Sequence, residues 1–310
     1  MAVGKPGVLL TGASGFIGRH VAAHLEQEAI PVTSVRREVG PQTDWRDLVE
    51  GIECVIHLAA AAHDRAQRHE RAGDYEALRR VNALGTERLA RAAAGAGVAR
   101  FIFLSTIGVS GDETRGAPLT EDSPAAPRSL YAASKWEAEQ RLEALAGATG
   151  LAVTVLRPTL VYGPGNPGNL LRLLRAVERG WPLPLASVDN RRHLTYVGNL
   201  VSALAAVLAR SDAAGRFVVC DGEALSTAQL VRCLARGLGR PARLFPLPVA
   251  VLRGIGKLMG ADPFVRRLAG SLEADCGKLR RVLGWQPPFA PGAALTETAA
   301  AYRAQRLRRG

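Results

Sequence analysis

Three glycines most constrain what this chain can fold into. Gly12, Gly15 and Gly18 stand three residues apart, directly after the apolar run Val8-Leu9-Leu10. Residues 16–28 then show helical spacing at Ile17, Val21 and Leu25. Each glycine answers a physical need: one permits a tight turn, one lets the backbone approach a diphosphate, and one lets helix and strand pack closely. The helix start adds free N–H groups and the positive end of its dipole. The turn formed by Gly12, Ser14, Gly15, Phe16, Ile17 and Gly18 therefore predicts nucleotide binding, because it lies in the strand–turn–helix context that this chemistry needs.

The rest of the first half repeats the alternation. Apolar strands are expected at residues 31–35, 53–58, 101–104 and 152–156, with helices at 75–96 and 129–146 between them. The strands read as continuous apolar runs, as they do when both faces are covered. The expected fold class is α/β: a Rossmann-type, doubly wound parallel sheet with a smaller, mostly helical C-terminal substrate lobe. Pro and Gly cluster at residues 158–168 and 181–184, and helical patterns follow at 199–209, 227–237 and 248–258. The nucleotide-binding domain is placed at residues 1–163 with a return segment near 191–220, and the lobe at 164–190 and 221–310.

With 310 residues and 47% hydrophobic side chains, the chain can bury a substantial core. No targeting segment or membrane-length apolar run is read, so a cytoplasmic location and no integral membrane segment are expected. Cys54, Cys220, Cys233 and Cys276 are scattered, without disulfide or zinc spacing, and no metal is expected. The net charge of +12 is unusual, but the basic residues are spread singly or in pairs except in the tail at 303–309. No basic groove with interleaved aromatics is visible, so no nucleic-acid partner is expected.

Tyr131 and Lys135 are four residues apart on one predicted helix and share a face. A phenol ionises near pH 10 and is a poor base at neutral pH. A neighbouring ammonium favours the phenolate, which then takes a proton from a hydroxyl or returns it to a ketone. The preceding strand ends in Leu104-Ser105-Thr106, which brings a hydroxyl to the edge of the sheet.

The Thr11-Gly12-x-x-Gly15-x-x-Gly18 turn, the Ser105-Thr106 strand end and Tyr131-x-x-x-Lys135, in that order, resemble the extended short-chain dehydrogenases/reductases. The resemblance runs along nearly the whole chain. It implies an enzyme using NAD or NADP, with Tyr131 as acid/base, Lys135 also bonding the nicotinamide ribose, and Thr106 (Ser105 as second choice) bonding the reacting oxygen. It assigns Asp44, with Trp45 beside it, to the adenine. It gives the loop after the family's fourth strand, His57 followed by Leu58, Ala59 and Ala60, to the cofactor ribose, with His57 itself packed rather than catalytic. Asn82 is implied to brace the middle of the sheet, and Pro158 to border the nicotinamide. The second strand ends in Arg36-Arg37 with no acid, which makes Arg36 a candidate clamp for the 2′-phosphate of NADP.

Within the family, the closest resemblance is to nucleotide-sugar 4-epimerases and 4-ketoreductases of bacterial polysaccharide pathways. It is carried by stretches such as Thr120-Glu121-Asp122-Ser123-Pro124 and Ser134-Lys135-Trp136-Glu137. It implies a nucleotide-sugar (UDP-type) substrate whose diphosphate meets Asn169, Arg192 and Arg266 or Arg267, and a homodimer through a helical bundle. Dehydratases of the family carry Asp-Glu after the Ser/Thr; Ile107-Gly108 here disfavours sugar dehydration. Two other readings stay open. One is a non-catalytic NAD(P)-binding regulator or scaffold on the same fold. The other is membrane-surface or nucleic-acid binding through the basic tail.

Overall fold

The computed structural model describes residues 7–61, 72–166 and 168–308. The nucleotide-binding part runs β1 (Gly7–Thr11), α1 (Phe16–Gln27), β2 (Val32–Val35), α2 (Arg46–Val49), β3 (Ile52–His57), α3 (Ala72–Arg79), α4 (Thr86–Gly95), β4 (Arg100–Leu104), α5 (Leu130–Thr149) and β5 (Ala152–Pro158). There follow β6 (Leu160–Tyr162), α6 (Asn169–Glu178), β7 (Leu194–Tyr196), α7 (Val197–Leu208) and β8 (Gly215–Val219). The chain ends in α8 (Thr227–Leu238), α9 (Val249–Leu258), α10 (Asp262–Ala269), α11 (Gly277–Leu283) and α12 (Pro291–Leu307).

Six strands form one parallel sheet in the order β2-β1-β3-β4-β5-β8. The two faces are covered by different helices, and the strand side chains alternate accordingly. Val8, Leu10, Cys54, Ile56, Ile102 and Leu104 pack towards α1 and α7. Leu9, Val55, Phe101 and Phe103 pack towards α4 and α5. This is why no polar alternation marks the strands. A third apolar cluster joins α6, α8 and α12 with β6 and β7 and forms the core of the lobe.

The expected helix over 75–96 is a composite. α3 passes into a π-helical turn, Arg80–Gly85, and then into α4. Such a turn widens the helix locally and recurs near functional sites. β8 returns to the sheet beside β5, pairing Leu156 with Phe217. β2, α1 and β3 set the position of the site. From β1 the chain goes to β2 on one side, then crosses to β3 on the other. At that reversal the C-terminal strand ends leave a crevice, the usual position for a ligand in an open α/β sheet.

Candidate active site

The glycine turn sits in this crevice. Gly12 has φ +75°, and a Cβ there would lie 2.6 Å from the Ala59 nitrogen. A Cβ on Gly18 would lie 2.0 Å from the Gly12 carbonyl oxygen, so only hydrogen lets α1 approach the turn so closely. Gly15 is the N-cap of α1 and offers no side-chain cap, so the first N–H groups of the helix are left available for a diphosphate. Phe16 packs on the lobe core and Ile17 on the sheet core, so the turn also joins the two parts.

The loop Leu58-Ala59-Ala60 lines the other side. It follows β3, the third strand of this chain rather than a fourth. Thr11 holds it: the Thr11 carbonyl accepts from the Leu58 N–H, and Thr11 Oγ1 accepts from the Ala59 N–H at 3.3 Å. Thr11 Oγ1 then donates to His57 Nδ1 at 2.6 Å. His57 Nε2 donates to Thr86 Oγ1 at 2.9 Å, and Thr86 donates to the Asn82 carbonyl. This chain of donors fixes the Nε2–H tautomer. Burial, with a smaller push from Lys135, holds His57 down at about 3, so it is a neutral packed residue.

Asn82 does not brace the sheet. Its side chain accepts from the Ala61 N–H at 2.8 Å and donates to the Ala61 carbonyl at 3.0 Å and to Ser134 Oγ at 2.9 Å. It thus ties the loop after β3 to α5. Asn82 lies within the π-helical turn, and Thr86 follows it directly at the start of α4.

α5 begins with Ser129 as N-cap, whose hydroxyl accepts from the Ala132 N–H. Tyr131 and Lys135 follow on one face. Burial raises the Tyr131 phenol to about 12. Lys135 is 1% exposed; its Nζ donates to the Leu104 carbonyl at 2.9 Å and lies 4.4 Å from the centre of the Phe103 ring. Burial lowers its ammonium to about 7, and Glu139 pulls it back up.

Ser105 and Thr106 are separated by the structure. Ser105 is buried and donates to Glu139, so the second-choice hydroxyl is turned into the protein. Thr106 caps the short 3₁₀ turn Ile107–Val109, its Oγ1 accepting from the Gly108 N–H at 3.2 Å. Its own O–H remains a donor at the end of β4. Glu139 was missed from the sequence. It stands four residues beyond Lys135, fully buried, with the Arg157 guanidinium at 2.5 Å. The available signal was the Tyr131, Lys135, Glu139 spacing, which puts a carboxylate on the same inward helix face.

Around Asp44 one expectation changes. Trp45 is a core side chain packed with Leu9, Val49 and Leu89 rather than a cofactor contact, with its Nε1 buried and without a partner among the described residues. Asp44 is exposed and paired with Arg46 at 2.7 Å, which holds its carboxyl well below the usual range. Arg37 is tied to Asp47 at 2.9 Å. Arg36 is exposed and makes no hydrogen bond or ion pair among the described residues.

Beyond β5 the chain passes through Pro158, buried at the end of the strand, into β6, which pairs with β7. Arg191 and Arg192 stand just before β7 and part company. Arg191 is exposed and paired with Glu273 at 2.7 Å. Arg192 is partly buried, donates to the Gly270 carbonyl at 2.8 Å, and has Arg267 close enough to act against its charge. Arg266 is exposed. Asn169 opens α6, and its side chain lies outside the described residues. The segment bearing Gly270 is joined to the loop after the 3₁₀ turn, since Thr114 N–H donates to the Ser271 carbonyl at 2.8 Å and Leu119 pairs with Ala274. The arginines and the Thr106 strand end are therefore linked by one loop.

A family model described as the NAD dependent epimerase/dehydratase family matches residues 8–220, more than half of the chain. The chain belongs to this family. A UDP-glucose 4-epimerase of Vibrio cholerae is 36% identical over 313 residues, covering 95% of each chain. An N-acetyl-alpha-D-glucosaminyl-diphospho-ditrans,octacis-undecaprenol 4-epimerase of Escherichia coli O157:H7 is 29% identical, covering 80% of this chain and 77% of its own. Among solved structures, MoeE5 in complex with UDP-glucose and NAD superimposes with a TM-score of 0.77 at 27% identity, covering 97% of this chain and 99% of its own. No helix among the described residues of this family member is long and apolar enough to cross a membrane, and no group of metal-ligating side chains is found among them.

Proposed function

We propose that this family member is an NAD(P)-dependent nucleotide-sugar 4-epimerase or 4-ketoreductase. The observation that carries the reading is the placement of Tyr131 and Lys135 on the first turns of α5, with Thr106 at the end of β4 and the Gly12–Gly18 turn in the same crevice. The close approach of the backbone at Gly12 and Gly18, and the uncapped start of α1, suit a dinucleotide diphosphate. When bound, NAD(P) accepts a hydride from the sugar carbon or returns one to it.

The protein's own groups handle the proton. In the oxidative direction Tyr131 takes the proton of the sugar 4-hydroxyl as C4 loses hydride, leaving a 4-keto sugar. In the reverse direction Tyr131 protonates the carbonyl oxygen. Burial alone leaves the phenol at about 12, too weakly acidic for this task. A bound cationic nicotinamide, with the charge it would restore to Lys135, would lower it, each unit corresponding to about 1.4 kcal/mol. Thr106 donates its O–H to the same oxygen. Arg192 and Arg267 would hold the sugar diphosphate, for which guanidinium forks are well shaped. Dehydration is not proposed, because Ile107 is buried and Gly108 has no side chain where an acid and base pair is needed.

The V. cholerae relative supports a UDP-linked sugar. The E. coli relative's substrate name carries a lipid diphosphate, and the same arginines would serve either sugar diphosphate. The test is to release the cofactor from purified protein by denaturation, identify it by mass, and assay UDP-glucose, UDP-N-acetylglucosamine and their 4-keto forms. Stoichiometric NAD+ with interconversion at C4 identifies an epimerase; an exchangeable cofactor with reduction of the 4-keto sugar identifies a ketoreductase. Tyr131→Phe should keep cofactor and lose turnover. A cofactor-bound wild type that turns over no sugar, and that Tyr131→Phe leaves unchanged, would establish the regulator reading instead.

A further inference from the structure

We infer that the α9–α10 hairpin is a docking surface for an anionic lipid bilayer. The hairpin packs on the lobe with only part of its surface, Val249, Leu268 and Ala269 lying partly buried against the core. Leu252 and Val265 reach the lobe core, and Gly256 is buried one turn from Leu252. With about 100° per residue, Leu252 and Gly256 define the inward face of α9. Val251, Ile255, Leu258 and Met259 recur at i, i+4, i+7 and i+8 along one edge of the exposed arc, and Arg253 and Lys257 line its other edge. Leu258 is 90% exposed and Met259 76%, far more than an isolated surface apolar residue needs. Phe264, at the start of α10, is exposed beside this tip. Exposed apolar surface of this extent marks a contact with something else.

The charge identifies what that contact is. The exposed arc of α9 carries two cations, Arg253 and Lys257, and no acid, while Arg267 lies by Arg192 and is not counted in this face. Among the described residues Arg253 and Lys257 form no ion pair. A second copy meeting this face across a twofold axis would set the same excess of positive charge against itself. An apolar edge with basic side chains along the edge opposite is instead the arrangement that enters the headgroup layer of an anionic leaflet. The chain's net charge of +12 has the same sign and favours the same approach. Docking would leave the protein on one side of the membrane, and it does not depend on which reaction the chain performs.

The experiment is co-sedimentation of the full chain with vesicles of phosphatidylcholine containing phosphatidylglycerol, against phosphatidylcholine alone. The expected result is binding to the anionic vesicles that weakens steeply with salt. Leu258→Asp with Met259→Asp should weaken it by about tenfold or more, and Arg253→Gln with Lys257→Gln by about tenfold. Both pairs lie outside the proposed catalytic groups, so thermal melting and turnover of these variants check that they fold. Three results would overturn the inference. One is absence of binding to the anionic vesicles. Another is binding that survives both pairs but disappears when Arg306 and Arg308 of the tail are neutralised. The third is a dimer in analytical ultracentrifugation that Leu258→Asp with Met259→Asp converts to monomer, which would make the hairpin a contact between copies.

Discussion

Ser105 donates its hydroxyl to the buried carboxylate of Glu139, whereas Thr106, the next residue, keeps its hydroxyl at the open end of β4. The strand pleat turns adjacent side chains to opposite sides, so only one of them is available to the reacting oxygen. Glu139 is held in turn by Arg157, with 2% and 0% of the two side chains exposed. Thr106→Val should therefore lower turnover by about 10²-fold, the usual cost of one donor to the reacting oxygen. Ser105→Ala should leave the turnover of the folded protein near wild type and reduce stability by about 1–3 kcal/mol, because Glu139 loses a partner without water to replace it. Turnover and urea unfolding of both variants check this. A reversed pattern would return the chemistry to Ser105.

Lys135 gives stability a pH dependence of known sign. Burial lowers its ammonium from 10.5 to about 7 in the cofactor-free protein. Below pH 7 the lysine is protonated in folded and unfolded chains alike, and the fold bears the cost of a buried ammonium. Between about 7 and 10.5 the unfolded chain binds a proton that the folded chain does not, so this group makes stability rise with pH across that window. Lys135→Met should be more stable than wild type at pH 6, by about 2 kcal/mol, and the advantage should shrink towards pH 10. Thermal melts of both proteins between pH 6 and pH 10 measure it. A constant difference would mean that Glu139 keeps the ammonium charged throughout.

The parallel fold was legible because its strands are short, apolar and separated by helical periodicity. The helices after residue 258 were not. α10 carries Arg266 and Arg267 in its last turn and α11 carries Arg280 and Arg281, so neither shows an apolar stripe long enough to stand out. In the site, the glycine turn was readable because backbone chemistry demands glycine there. Trp45 was misread because sequence neighbourhood with Asp44 does not reveal which way a side chain turns, and its ring was needed to fill the sheet face beneath α4. Glu139 was overlooked because a carboxylate in an otherwise buried stretch becomes intelligible only when Arg157, a strand away, is seen to close on it.

The two neighbouring arginines before β7 should behave differently. Arg191 is exposed and bonded to Glu273, an arrangement typically contributing under about 1 kcal/mol. Arg192 is partly buried beside Arg267, where two cations repel until an anion joins them. Arg192→Gln should raise KM for the sugar diphosphate by about 10–100-fold with a much smaller change in kcat, since a charge-assisted hydrogen bond contributes about 1.5–3 kcal/mol. Arg191→Gln should change neither by more than about twofold. Steady-state kinetics of the two variants separates them, and equal effects would remove Arg192 from the diphosphate site.

Arg36 is the position at which the choice between the two nicotinamide cofactors can be tested. It directly follows β2, where an acidic residue would bond the ribose hydroxyls of NAD, and no acid stands there. Its neighbour Arg37 is engaged by Asp47 and the Asp44 carbonyl, which leaves Arg36 as the unpaired guanidinium at that corner among the described residues. If Arg36 bonds a 2′-phosphate, Arg36→Ala should weaken NADPH by about tenfold or more while leaving NADH within about twofold. If Arg36 only covers the adenine, both cofactors should weaken by the same small factor. Titration of cofactor fluorescence on wild type and Arg36→Ala gives the two ratios directly. A preference for NADH in the wild type, unchanged by the substitution, would exclude the phosphate clamp and leave the missing acid at the end of β2 without a compensating role.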